Sequence, residues 1–202
     1  MQFQEFKKIP RLNRDIVITE KLDGTNAQIY ICHKLDLLGD LTNFCGFVDL
    51  KIAENETHII FAGSRTKWIT PGKQTDNYGF AGWVKENSEE LFKLGEGHHF
   101  GEWWGNGIQR NYGCPEKRFS LFNVGKWSDD LIRPKCCHIV PKLYEGLFDT
   151  NKIKEVLEDL RVHGSYAIPY LNPEGICLYH TASRELYKIT LKDDEKPKSA
   201  KI

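Results

Sequence analysis

The chain has 202 residues, enough for one sizeable domain with a real core, and its 40% hydrophobic and 12% aromatic content is that of an ordinary globular protein. Its 28 basic and 28 acidic residues cancel, which excludes nucleic-acid binding through the field of the whole molecule and leaves only local patches for that purpose. No apolar run is long enough to cross a membrane, and the opening "MQFQEFKKIPRLNRD" has neither the apolar stretch nor the small-residue cleavage site of a secretory leader.

In chain order, Lys7, Lys8, Arg11 and Arg14 form a first basic cluster that reads as a solvated face. Alternation marks strands near 15–20 and 26–32, and the Asp23–Gly24 pair between them predicts a β-hairpin. Glu20, Lys21 and Asp23 then crowd the rising arm beside the turn, where three charges do little for a hairpin. Residues 35–46 read as a loop or short hairpin, and 58–64 as a strand. "FAGWVKENSEELFKLG" places Phe80, Trp83, Val84, Leu91 and Leu94 on one helical stripe ended by Gly95. A strand follows near 98–104, with His98 and His99 as strand residues, and then a second basic cluster of Arg110, Lys117 and Arg118.

Further strands are expected near 118–124 and 138–144. "TNKIKEVLEDLRVHG" predicts a helix with Thr150 or Asn151 as cap, Ile153, Val156, Leu157 and Leu160 on one face, and Gly164 as the stop. Strands near 175–180 and 186–191 complete the pattern, and the charged "DDEKPKSAKI" reads as a frayed, flexible tail, 193–202. Strands in excess, two scattered helices and no β-then-α rhythm predict one α+β domain built mainly on antiparallel sheets. Cysteines at 32, 45, 114, 136, 137 and 177 form no CxxC pair. They read as reduced thiols of a cytoplasmic protein, with "CCH" at 136–138 as buried strand residues rather than part of a zinc site, whose ligands must converge on one point.

Six islands put polar groups into strand-like settings, which costs energy unless a partner or ligand satisfies them. They are "EKLDG" at 20–24, "GSR" at 63–65, "FGEWW" at 100–104, "RFSLFNV" at 118–124, "PEGI" at 173–176 and "YKIT" at 187–190. Singly each is weak. Together and in this order they resemble the covalent nucleotidyltransferases, the superfamily of ATP-dependent DNA ligases, RNA ligases and mRNA capping enzymes. "EKLDGTN", "FGEWWGNGIQRNYG" and the aromatic pair of "FSLFNV" look most like the RNA ligases that seal nicks in duplex RNA and the RNA-editing ligases. The resemblance spans residues 20–190 and implies an ATP-grasp-like nucleotidyltransferase domain of antiparallel sheets flanked by helices.

The resemblance implies that Lys21 attacks the α-phosphate of ATP and becomes a lysyl-AMP phosphoramidate. A free lysine has a pKa near ~10.4, so about one in 2,500 is neutral at pH 7, and lowering the pKa to about 7 would recover most of roughly 4 to 5 kcal/mol. Lys188, the second catalytic residue, would sit against the α-phosphate and help hold Lys21 neutral. Glu20, Asp23, Gly24 and Asn26, with Thr25, would shape the nucleotide pocket, and Arg65 would contact the sugar or the substrate end. Glu102 would accept from a ribose hydroxyl, since a carboxylate offers only acceptors. Phe122, 20 residues beyond Glu102, would stack on adenine, with Phe119 as the alternative. Glu174 would bind Mg²⁺ or Mn²⁺, needing few protein ligands beside phosphates. Each has an ordinary alternative as a surface lysine, turn former, ion pair or core aromatic.

One departure stands out: the last motif of such ligases has two lysines flanking one residue, and here the second is Thr190, with Lys192 two places on. Arg65, Arg110, Lys117 and Arg118 would hold phosphates. The expected partner is RNA with 5′-phosphate and 3′-hydroxyl ends, bound by a monomeric catalytic core without an OB-fold or carboxy-terminal domain, which a partner protein could supply. No P-loop or dinucleotide fingerprint offers another route to nucleotide use. The rivals are a minimal DNA ligase, a GTP-using capping enzyme and a catalytically idle nucleotide- or RNA-binding module.

Overall fold

The computed structural model describes residues 2–38 and 49–192; the expected tail at 193–202, most of the 35–46 segment and Cys45 lie outside them. The described chain divides into two compact units. The first comprises the described residues up to Lys21 and from Pro141 onward, and the second those of Leu22–Val140.

In the first unit, strands β1 (Asp15–Lys21), β9 (Lys142–Leu147), β10 (Gly175–His180) and β11 (Glu185–Thr190) form an antiparallel sheet in the order β11-β10-β1-β9. Ile16, Ile18, Ile176 and Leu178 alternate onto one face and pack against Ile153, Val156 and Leu160 of the long helix Thr150–His163. Burying each such side chain contributes about 1.5–3 kcal/mol, which holds the helix to the sheet. The cap of this helix is Asp149, whose side chain accepts from the Asn151 amide, rather than Thr150 or Asn151 themselves. Gly164 ends it, as the sequence predicts.

The second unit holds β2 (Thr25–His33), β3 (Lys51–Glu54), β4 (His58–Ser64), β5 (Trp68–Ile69), β6 (Gly97–Gly105), β7 (Lys117–Leu121) and β8 (Cys137–Ile139). Their order is β3-β4-β2-β6-β7-β8, with β5 on β4, and every pairing is antiparallel except β7 with β8. Ala27, Ile29, Ile31, Ile60, Trp103 and Phe119 fill a core together with Phe80 and Val84.

Four expectations are corrected. The predicted hairpin does not form: β1 pairs with β9 and β10, while β2 pairs with β4 and β6. The expected strand at 138–144 is two strands in different sheets, broken beside Pro141, which has no amide hydrogen to give a ladder. The helix predicted from Phe80 to Leu94 is interrupted: Phe80–Glu86, Ser88–Leu91 and a 3₁₀ turn Phe92–Leu94. The break falls at Asn87, whose backbone and side-chain amides both donate to the Trp83 carbonyl, at 3.0 and 2.9 Å. Lys34–Leu38 is a short helix in place of the expected loop. Among the described residues, no helix is long and apolar enough to cross a membrane.

Candidate active site

Strand β1 of the first unit alternates its side chains between two environments, and this separates Glu20 from Lys21. The cross-strand register sets Lys21 opposite Gly175 and Gly175 opposite Thr190; one step along, Thr19 stands opposite Cys177 and Cys177 opposite Lys188. Opposed residues share a face, so Thr19, Lys21, Lys188 and Thr190 project from the same side of the sheet, away from the helix. Gly175 leaves the ground between Lys21 and Thr190 bare. Its φ is +155°, and a Cβ there would lie 2.1 Å from the Ile189 carbonyl oxygen, so no side chain can fill it.

Lys21 Nζ donates to Glu174 Oε2 at 2.5 Å, with side-chain exposures of 19% and 7%. The structure thus joins two residues 153 positions apart that the sequence offered independently. Thr190 Oγ1 donates to the Lys192 carbonyl, and Lys192 Nζ donates to Asn172 Oδ1 at 2.9 Å. Lys192 is therefore held by Asn172, whereas Lys188 is exposed on the lysine face.

Glu20 faces the other way. It is 1% exposed, and its Oε2 accepts from the Tyr166 amide at 2.8 Å, tying β1 to the loop that follows the long helix. Burial pushes its carboxyl above the ordinary value, opposed by the polar groups of Ser165, Tyr166 and Ala167. Glu20, expected among the nucleotide-pocket residues, thus has its carboxylate on the face of β1 opposite that of Lys21.

The second unit carries the remaining residues. Gly24 donates its amide to Glu102 Oε1 at 3.0 Å, and Asn26 stands opposite Glu102 in the β2–β6 register. The Asp23 amide donates to the Tyr112 hydroxyl at 2.9 Å, while Arg110 Nε donates to Asp23 Oδ2 at 2.9 Å. Three groups from β6 and the loop after it therefore clamp the segment Asp23–Gly24. The loop reaches Asp23 through a strained path, with positive φ at Gln109, Asn111 and Tyr112. Gly24 sits so close to β6 that a Cβ would lie 2.4 Å from the Trp103 carbonyl oxygen.

Phe119 is fully buried among Phe80 and Trp83 and cannot meet a ligand, whereas Phe122 is 37% exposed. Phe122 follows the end of β7, where its amide donates to the Phe100 carbonyl. Arg65 is exposed in the β4–β5 turn. The other basic groups are engaged with the protein: Arg110 with Asp23, Arg118 with Glu116 and over the Trp104 ring, and Lys117 with the Tyr78 carbonyl. His99 is buried on the core side of β6 with Nε2 at 2.9 Å from the Gly95 carbonyl, which agrees with its reading as a strand residue. Burial lowers its pKa.

The sequence model of the RNA ligase family matches residues 14–198. The chain belongs to the RNA ligase family. Its fold is similar to that of Naegleria gruberi RNA ligase in several solved variants. One with ATP and Mn has 17% identity and a TM-score of 0.57 over 90% of this chain and 51% of that one. A second, with AMP and Mn, has 16% identity and a TM-score of 0.56 over 89% and 50%. A third, with ATP and Mn, has 16% identity and a TM-score of 0.54 over 87% and 48%. This family member therefore spans about half the length of the solved ligases it resembles. No curated protein matches the sequence.

Sequence reasoning missed the clamp on Asp23 and the anchoring of Glu20. Arg110 and Asp23 are 87 positions apart, and no local pattern marks such a pair. The one signal was the glycine-rich "GNGIQRNYG" beside the Glu102 island, which announces a tightly folded loop.

Among the described residues, no cluster of three or more His, Cys, Asp or Glu could hold a metal ion. Magnesium, however, keeps several waters and needs only one or two carboxylates beside substrate phosphates. Glu174, a nearly buried carboxylate already facing a lysine, fits as a lone protein ligand of that kind.

Proposed function

We propose that this chain is the nucleotidyltransferase core of an ATP-dependent RNA ligase. Lys21 Nζ, once deprotonated, attacks the α-phosphorus of ATP; a P–N bond forms, the bond to the β-phosphate oxygen breaks and pyrophosphate leaves. A 5′-phosphate oxygen of the nucleic acid then takes the adenylyl group from Lys21, and a 3′-hydroxyl displaces AMP to form the phosphodiester. The observation that carries this reading is the Lys21–Glu174 contact on the helix-free face of the first sheet, beside the bare backbone of Gly175.

The resident residues divide the work. Lys188 neutralises charge at the α-phosphate as pyrophosphate leaves. Lys192, held by Asn172, does not stand in for the second motif lysine that Thr190 replaces, so the site works with Lys188 as its one such cation. Asp23, Gly24 and Asn26 shape the nucleotide pocket, Glu102 accepts from the ribose and Phe122 stacks on the base. Arg65 meets the substrate end. A bound Mg²⁺ or Mn²⁺, with Glu174 as its protein ligand, would supply charge neutralisation at the phosphates and compete with Lys21 for that carboxylate. The buried thiols of Cys32, Cys114 and Cys137 suit a reducing, cytoplasmic setting.

The test is transfer of label to the protein from ATP or GTP carrying a labelled α-phosphate, with Mg²⁺ or Mn²⁺ present. Label from ATP is expected, and its loss in Lys21→Ala and also in Lys21→Arg, whose guanidinium stays protonated. Absence of label from either nucleotide would overturn the ligase reading. Sealing of nicked RNA against nicked DNA then distinguishes an RNA from a DNA ligase.

A further inference from the structure

The second sheet has a face turned away from its core, and that face is aromatic. Strand alternation places Asn26, Gln28 and Tyr30 of β2 beside Glu102, Phe100 and His98 of β6, in the register Asn26–Glu102, Gln28–Phe100 and Tyr30–His98. Three successive cross-strand rows thus lead from Glu102 along the sheet. The Tyr30 and His98 rings stack at 4.3 Å with planes 23° apart, and His98 and Phe100 lie 5.7 Å apart and nearly parallel, at 8°. Trp68 of β5 extends the series, 6.3 Å from His98 and 22° from parallel.

One end of this arrangement packs on a small core, with Tyr30 and Trp68 against the buried Cys32, Ile59 and Phe61, and the other end is open. Phe100 is 48% exposed, His98 is exposed, and Tyr30 and Trp68 are half-buried. Polar atoms interleave with the rings, as in the contact of His98 Nδ1 with Gln28 Oε1 at 3.0 Å. The turn Ser64–Trp68 then places Arg65 and Lys67, both exposed, within three residues of Trp68 in sequence. Near-parallel rings, polar groups between them and cations at one margin are what unpaired bases and their phosphates need. A duplex hides its base faces, and a purely apolar partner would leave Gln28, His98 and the two cations without a use.

We propose that His98 and Phe100, backed by Tyr30 and Trp68, form a stacking ladder for unpaired nucleobases, with Arg65 and Lys67 on the adjoining phosphates, so that this chain engages single-stranded RNA. The proposal rests on the ligase reading only in taking RNA as the substrate. It adds a base-binding subsite beyond the residues assigned to nucleotide chemistry.

The test uses the full chain without ATP and a fluorescent 12-nucleotide single-stranded RNA, with the same RNA annealed to its complement for comparison. Replacing both His98 and Phe100 with Ala is expected to weaken single-strand binding about 25-fold or more, since each lost stack weakens binding about fivefold or more. The slope of affinity against salt should stay unchanged in that variant. Lys67→Ala should instead reduce that slope by about 0.7, the share of one phosphate contact on a single strand. Phe100→Tyr should bind as the parent does, which separates lost stacking from a disturbed sheet, and Tyr187→Ala, an exposed aromatic in the first unit, serves as the control.

Single-strand binding by the double variant within twofold of the parent would overturn the ladder, as would an equal loss with duplex. Capture of a protein partner through this face with no RNA binding at all would also overturn it. Label transfer from ATP without ladder-dependent RNA binding would defeat the ladder and leave the ligase reading standing. Ladder-dependent binding without label transfer would do the reverse.

Discussion

Replacing Gly24 with alanine should damage the second unit far more than a single methyl group normally does. The new Cβ would lie 2.4 Å from the Trp103 carbonyl oxygen, 2.7 Å from Trp104 Cβ and 3.0 Å from the Trp103 carbonyl carbon. Ordinary contact begins near 3.4 Å, so β6 and the Asp23–Gly24 segment must separate by about 1 Å. The obstacle is mostly backbone, which cannot rotate aside. Overpacking of this kind costs about 1–3 kcal/mol. The same displacement breaks the 3.0 Å bond from the Gly24 amide to Glu102, and hydrogen bonds to charged groups contribute about 1.5–3 kcal/mol.

Together these give roughly 3–5 kcal/mol, a large part of the 5–15 kcal/mol typical of a folded protein, and a fall in melting temperature of roughly 6–20 °C. Calorimetry or circular dichroism melts of the parent and the variant read this directly. Gly82→Ala is the matched control. There the Cβ meets only Asp76 Oδ2, at 3.6 Å, inside the helix Phe80–Glu86, so the exchange should raise stability by about 0.5–1 kcal/mol. In a Glu102→Ala background, Gly24→Ala should cost less, by the share of the lost hydrogen bond. A Gly24→Ala protein that melts with the parent, or that falls no further than Gly82→Ala, would refute the close-approach argument.

Glu20→Gln should change how stability depends on pH. The folded-state pKa of Glu20 is raised by burial, so the folded protein holds the proton more tightly; this contribution is fully present below about pH 4.5 and is lost as pH rises through the folded value. Urea midpoints from pH 4 to 7 should show the Gln variant gaining on the parent as pH rises, and parallel curves would count against the buried carboxylate. Lys188→Ala should slow label transfer from ATP by about 10²–10³-fold, while Lys192→Ala stays within about threefold; equal losses would show that the Asn172-held lysine shares the work. Tyr112→Phe removes the acceptor of the Asp23 amide and should destabilise by about 1–3 kcal/mol, against less than about 0.5 for Tyr144→Phe, whose hydroxyl bonds an exposed carbonyl. Thermal melts of the two variants compare them.

The amino-acid sequence by itself marked most of the strands and the polar islands within them, although it left out β3 and β5 and ran β8 into β9. Lys21, Glu102, Glu174 and Lys188 were all legible, because polar residues in strand-like surroundings stand out against a period of two. Both helical stripes were legible from their 3.6-residue period, with Leu91, Leu94, Val156 and Leu160 buried where the stripe predicts. Pairing was not. A DG turn between two apolar runs is a local rule for a hairpin, yet β1 takes as its partner β10, whose first residue lies 154 positions beyond Lys21.

Only tertiary structure decided the sides. The sequence did not tell Phe119 from Phe122, and the fold buries Phe119 against Phe80 and Trp83 while leaving Phe122 exposed. It set Glu20 and Lys21 in the same motif, and the packing of one face of β1 on the long helix sends their side chains apart. The reason is physical: hydrophobic periodicity is written residue by residue, whereas register, and with it the meeting of Lys21 with Glu174 and of Asp23 with Arg110, depends on contacts between segments whose separation along the chain leaves no local trace.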